Sequence, residues 1–261
     1  MILEQNLSPL ATRQAQATNP DTTAETLAWL ARDADPLVRE LVAMHPSCPQ
    51  DTKLALAQDD SSSVRYALIQ NPSAAPVVLE TLAKDPDPRH LHVRQEILSA
   101  QDVPSSWLAD VSDDHDMDIR QLVAVHPNTP ADILFKMTQD EEALVRFYMA
   151  MHTQNREVLE RLAHDPYEYV RMVVGSHSAT PLGCLEALCD DDHHYVRMGV
   201  AMSKQTPSEL LRRLATDRHE MVRLAVHDNP NTPPEVAARM TFAPDAHERH
   251  SAALLRDIPA V

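Results

Sequence analysis

Glycine is almost missing from this chain. Its 261 residues include 3, all between Gly175 and Gly199, against 20 prolines. A large β-protein or a glycine-rich phosphate loop needs more than that. Cysteine is as scarce. Cys48, Cys184 and Cys189 are too few for a disulfide scaffold, and the spacing of the last two matches no metal motif. They are expected to pack as small apolar residues. Positive charge is also short: 23 Lys and Arg stand against 39 Asp and Glu, a net charge of −16. Such a surface repels DNA, RNA and anionic membranes and attracts a basic partner. No run approaches the roughly 18 apolar residues of a membrane span. The opening stretch MILEQNLSPLATRQ lacks the basic-then-apolar order of a signal peptide. A soluble, cytoplasmic protein is expected. Nucleophile elbow, phosphate loop and HExxH are absent too. No carboxylate pair sits in a context that would raise its pKa, so no enzyme is expected.

What the chain has is a repeat. The dipeptide Val-Arg occurs at Arg39, Arg65, Arg94, Arg146, Arg171, Arg197 and Arg223, with Ile119-Arg120 as a near match and Thr12-Arg13 and Glu248-Arg249 at the ends. Successive arginines are 26, 26, 29, 26, 26, 25, 26, 26 and 26 residues apart. Each unit reads as two short helices. In DPLVRELVAMH, Asp35 is placed as N-cap and Pro36 at the first helical position, and Val38, Leu41 and Val42 form one apolar stripe. Proline in the following HPxTP phrase ends that helix. The second helix is expected to open at Thr129-Pro130, Thr180-Pro181, Thr206-Pro207 and Thr232-Pro233, with capping boxes from Thr206 to Glu209 and from Thr232 to Glu235. LxxLA then supplies its buried face, for example Leu27, Leu30 and Ala31, or Leu211, Leu214 and Ala215. An Asp closes each unit, from Asp33 to Asp217. Neither helix can bury its stripe alone, whereas stacked copies bury a continuous core. The expected fold is an all-α solenoid of nine to ten two-helix units of about 26 residues, one domain over 1–261. Residues 1–12 (with Ile2, Leu3 and Leu7) and 249–261 (with Leu254, Leu255 and Ile258) are expected to cap the core, and 13–248 to hold the repeats.

The phrase VRxxVAxHPxTPxxxLxxLAxD, spelled at Val123–Leu134 and again around Leu224–Val236, resembles the leucine-rich repeat variant, a bacterial repeat akin to HEAT arrays. The resemblance covers Arg13 to about Ala243. It implies a right-handed solenoid of alternating α- and 3₁₀-helices that serves protein–protein contact and has no shared enzymatic activity. Its founding member also carries an N-terminal cysteine cluster for an iron–sulfur centre. No cysteine precedes Arg13 here, so that cluster is not carried over, and no cofactor is expected.

Aligned units allow columns to be compared within one chain. The arginines Arg39, Arg65, Arg94, Arg120, Arg146, Arg171, Arg197 and Arg223 form a ladder. It reads as structural, each Arg pairing with the closing Asp six residues before it (Arg39 with Asp33, Arg223 with Asp217) or with helix-end carbonyls. Six residues after each Arg stand Asn19, His45, Asn71, Ala100, His126, His152, His177, Ser203 and Asn229. Three histidines in successive units suggest a metal, but units about 10 Å apart are too far for one ion. Asn and Ser in the same column point to a turn role. CDDDHHY, Cys189–Tyr195, reads as a solvated loop.

A last set of columns changes along the chain. Two before, one after and five after each Arg share one helix face. Early on that face is polar or mixed: Ser63, Tyr66 and Gln70, then His92, Gln95 and Ser99. Later it holds Leu144, Phe147 and Met151, then Tyr169 and Met172, then Tyr195, Met198 and Met202, then Met221 and Leu224. Because early units fold with polar residues there, the face is expected to be exposed and to bind a partner. The expected function is a non-enzymatic scaffold or adaptor for a basic protein or peptide, with no nucleic acid and no membrane. Alternatives are an immunity protein or antitoxin that neutralises a basic toxin or nuclease, and a metal or iron–sulfur repeat protein.

Overall fold

The structure, a computed structural model, describes residues 9–240 and 242. Both expected caps, apart from residues 9–12, and the anchor at Arg249 lie outside the described residues. Within them the chain is all-helical, as the sequence predicts. The first helix of each repeat is α1 (Leu10–Thr18), α3 (Pro36–Met44), α5 (Ser62–Ile69), α7 (Leu91–Leu98), α9 (Met117–Val125), α11 (Ala143–His152), α13 (Glu168–Ser176), α15 (His194–Met202) and α17 (Glu220–Asp228). The second is α2 (Ala24–Leu30), α4 (Gln50–Leu56), α6 (Pro76–Ala83), α8 (Ser105–Asp110), α10 (Ala131–Met137), α12 (Arg156–Leu162), α14 (Leu182–Leu188), α16 (Ser208–Leu214) and α18 (Pro234–Ala237). The second helices are short but α-helical, against the 3₁₀ expectation. Among the described residues one 3₁₀ turn occurs, Pro88–His90, where the spacing of 29 takes up its three extra residues.

The residues group into two compact units, one ending at Asn128 and the other beginning at Thr129. In the first, α1, α3, α5, α7 and α9 pack in order; in the second, α11, α13, α15 and α17 do. First helix against first helix is the packing of an α-solenoid. The core is columnar. The residue before each Arg, from Val38 to Val222, is at most 1% exposed in every repeat, and the one three after it is buried throughout. Each such branched side chain contributes about 1.5–3 kcal/mol when taken from water.

Local signals explain the ends of the helices. Asp35 caps α3, its carboxylate accepting the Leu37 N–H at 2.8 Å, with Pro36 behind it. The capping boxes are not formed. Pro207 and Pro233 occupy the cap positions of α16 and α18 and offer no side-chain bond. Instead the Thr180 and Thr206 hydroxyls donate to the carbonyls of Val174 and Val200, each at 2.6 Å, and Thr232 does the same to Val226. A hydroxyl six residues past an orphan helix-end carbonyl satisfies it, and so folds the HPxTP phrase back on its own helix.

Candidate functional site

The arginine ladder is a joint between repeats. Seven guanidinium groups donate to the carboxylate of the next repeat's closing Asp, usually twenty residues on. Arg39 Nε and Nη2 reach Asp59 at 2.6 and 2.8 Å, and Arg197 reaches Asp217 at 2.7 and 3.0 Å. Similar forks join Arg13 to Asp33, Arg94 to Asp114, Arg146 to Asp165 and Arg171 to Asp191, and a single bond joins Arg65 Nη1 to Asp85. The Asp six residues earlier gives its carbonyl, not its carboxylate: Asp33 O accepts from Arg39 at 2.7 Å and Asp217 O from Arg223 at 2.7 Å. Arg120 Nη1 reaches Asp114 O likewise at 2.8 Å. The expected pairing within one repeat is thus corrected, because the side chain is long enough to cross the joint. Arg94, after the enlarged repeat, turns to Ala83 O instead. Each Asp also accepts the N–H two residues on, as Asp59 does from Ser61 at 2.9 Å. Burial pushes the carboxyls of Asp59, Asp114, Asp191 and Asp217 up, but the Arg hydrogen bond, that N–H and nearby positive charge outweigh it and leave them below their ordinary value. A ligand would find these guanidinium forks occupied.

The histidine column is a turn device. His45 and His126 accept the N–H of Ser47 and Asn128 on Nδ1, at 3.1 Å each, so Nε2 carries the proton. It donates back to the preceding repeat, at Asn19 O (3.0 Å) and Ala100 O (2.9 Å). Asn71 and Asn229 make the same reach with their amides. His177 accepts from Ala179 in the same way. His152 does not belong to the column: α11 runs one residue further, and Thr153 takes the cap and accepts from Asn155. Among the described residues no group of three or more His, Cys, Asp or Glu is placed to hold a metal.

The expected exposed row is largely core. Phe147, Tyr195, Met198 and Leu224 are buried, Met198 completely; Leu144, Tyr169, Met172 and Met221 are half-buried; only Met151 and Met202 stand out, at 45% and 49%. The cause is a close approach of backbones. A Cβ on Gly199 would overlap the Met172 carbonyl, and one on Gly175 would stand 3.0 Å from Val200 N, so α13 and α15 touch main chain to main chain. Met198, one after Arg197, is then enclosed between helices.

CDDDHHY is a loop only in part. Asp190 and Asp192 are exposed, but Asp191 belongs to the ladder and Cys189 is buried, with its thiol pushed up by burial. The rings that follow stack: His193 on His194 (5.0 Å), His194 on His219 (3.8 Å), His194 on Tyr195 (4.3 Å) and Tyr195 on Tyr169 (5.6 Å). Burial first, then the charges of His219 and His193, bring His194 down to about 4.

One residue escaped the column comparison. Lys53 occupies the place held by Leu27, Leu79, Leu108, Leu134, Leu159, Leu185 and Leu211, and it is completely buried. Its ammonium donates to the Ser73 hydroxyl at 2.6 Å and carbonyl at 3.0 Å in the next repeat. Burial lowers its pKa, and burial also pushes the neighbouring Cys48 thiol up to about 11. A lone Lys in a leucine column was a legible signal. One repeat further on the same place opens as a groove of about 400 Å³ lined by Leu79, Ile97, Ala100, Asp102 and Trp107 among others. In the second unit a polar cleft of about 350 Å³ lies along Asp190, Asp192, Arg213 and Arg218.

No helix among the described residues is long and apolar enough to cross a membrane. The sequence matches no protein-family model and none of the curated proteins. A search of solved structures finds one described as a leucine-rich repeat variant with a novel repetitive structural motif, at a TM-score of 0.55 and 28% identity. The match covers 77% of this chain and 78% of that one. The resemblance carried by the repeated phrase therefore holds in three dimensions: this chain is a helical repeat array similar to the leucine-rich repeat variant.

Proposed function

We propose that this chain is a non-catalytic scaffold that binds a basic protein or peptide through its acidic surface. Helical repeat arrays generally serve protein contact. The observation that carries the reading is where the arginines go. Seven of them are joined to seven aspartates in the ladder. Setting these aside from the totals leaves 32 acidic residues against 16 basic ones. The positive charge is spent on joints, and the surplus carboxylates face outward. Such a surface draws in Lys- and Arg-rich segments and turns nucleic acid away. In the second unit Met151, Met202, Leu182 and Phe135 are exposed apolar side chains within that acidic frame. Met in particular adapts to varied partners.

The test is a titration by fluorescence anisotropy with a labelled Lys-rich peptide, a Glu-rich peptide and a DNA duplex, at about 50 and about 500 mM salt. Only the Lys-rich peptide is expected to bind, and the higher salt should weaken it. Binding of the duplex, or equal binding of both peptides, would contradict the proposal.

A further inference from the structure

The joint formed by Lys53 has a counterpart one repeat later that stands open. By the repeat alignment, Leu79 of α6 takes the place of Lys53, Ala100 that of Asn71, Asp102 that of Ser73 and Pro76 that of Gln50. In the earlier joint all four side chains are engaged. The Lys53 stem lies between repeats with its ammonium on Ser73. Asn71 Nδ2 donates to Ala43 O at 2.7 Å, and the Gln50 amide donates to Ser73 O at 2.6 Å. In the later joint the donors are gone. Leucine, alanine and proline replace lysine, asparagine and glutamine, and the space they leave is the groove of about 400 Å³. Ser203, another short residue in the column of Asn71, sits at a joint where Gly175 and Gly199 bring α13 and α15 together. The joint at Ala100 contains no glycine.

The groove has apolar walls and an acidic lip. Leu79, Ile97, Val103 and Trp107 line it, and Glu96 and Asp102 stand exposed at its edge. Neither carboxylate has a partner among the described residues. We propose that this groove binds a lysine side chain of the partner, methylenes against Ile97 and Trp107 and ammonium at Asp102, where Ser73 receives Lys53 in the joint before. The chain thus carries, one repeat away, its own copy of the proposed complex. Aspartate in place of serine suits an ammonium that arrives from water still charged, because it supplies the counter-charge that Ser73 lacks. The inference rests on the reading that the partner is basic.

n-Pentylamine, the lysine side chain together with its Cα carbon, is the probe, followed by amide and Trp107 indole NMR shifts at pH 7. With so few heavy atoms its Kd should be about millimolar. Saturable shifts are expected at Ala100, Asp102 and Trp107, with none from n-pentanol. Asp102→Asn, at an exposed position, should weaken binding about tenfold. Leu79→Lys, checked for folding by its melt, should fill the groove from within and abolish binding. Absence of saturable shifts at these residues, or binding indifferent to Asp102→Asn, would overturn the proposal. If a Lys-rich peptide still bound, only this groove would fall. If pentylamine bound here and no basic peptide bound anywhere, the scaffold reading would fall instead.

Discussion

α7 in the first unit and α15 in the second carry the same columns to opposite ends. One residue after the ladder Arg, α7 has Gln95, half-exposed, and α15 has Met198, with no exposure at all. Tyr66 at that place on α5 is 39% exposed, whereas Phe147 on α11 is 4%. The ladder and the valine column are alike in both units, so the difference is not one of fold. It lies in how closely successive first helices approach. Where Gly175 and Gly199 let backbones touch, the face of α15 closes over Met198 and must be apolar; α11 buries Phe147 with no glycine of its own, while α5 and α7 stay open and tolerate Gln, His and Ser.

The largest expected effect follows from that contrast. Met198→Glu places a charge where water cannot follow and should cost about 4 kcal/mol, while Gln95→Glu should change stability by less than about 0.5 kcal/mol. Denaturant melts of both variants check this; similar losses would erase the distinction. Next comes the ladder, which should not distinguish the units. Arg65→Ala strands the half-buried Asp85 and Arg146→Ala the buried Asp165, and each should cost about 3 kcal/mol. A clear inequality would show that one unit holds its joints by other means.

A smaller loss separates the glycines. Gly199→Ala should cost about 2 kcal/mol by forcing α13 and α15 apart. Gly183, with nothing within 4 Å of an added Cβ, should gain about 0.5 kcal/mol as alanine. Gain at both positions would mean that helix propensity, not approach, decides. The smallest effect is one of pH. His177, His194 and His219, all in the second unit, are lowered by burial first. Their depressed folded pKa values mean that stability is complete above the unfolded value of about 6.5 and is lost as pH falls toward about 4. In the first unit His90 is lowered, again by burial first. Amide protection should therefore fall more in α13, α15 and α17 than in α3 and α5 between pH 7 and 5. Asp59, Asp114, Asp191 and Asp217 of the ladder, also lowered, would add a loss common to both units only below about pH 4.

Much of the fold was legible because repetition averages out local ambiguity. The Arg spacing gave the period, Val38 and its column mates the core, and Asp35 with Pro36 a helix start. Three things were not legible. Which aspartate an arginine meets depends on reach across a joint, and sequence distance alone favoured Asp33 over Asp59 for Arg39. The Thr206 hydroxyl had two good partners, an N–H ahead to accept from and a carbonyl behind to donate to, and the choice between capping forward and folding back is made by Pro207, which takes the cap itself. The exposure of the Phe147–Leu224 row was inferred from polar residues in the first unit, a fair inference only if all joints are equally wide. Gly175 and Gly199 marked where they are not, and Lys53 marked a joint of another kind.

The contrast between the two units can be measured within a single helix. Met198 and Met202 both lie on α15, the first with no exposure and the second 49% exposed. Brief peroxide oxidation followed by peptide mass spectrometry reads both at once. Met202 should become the sulfoxide at nearly the rate of an unfolded peptide while Met198 stays protected. Equal oxidation of the two would put the whole row at the surface and contradict the account.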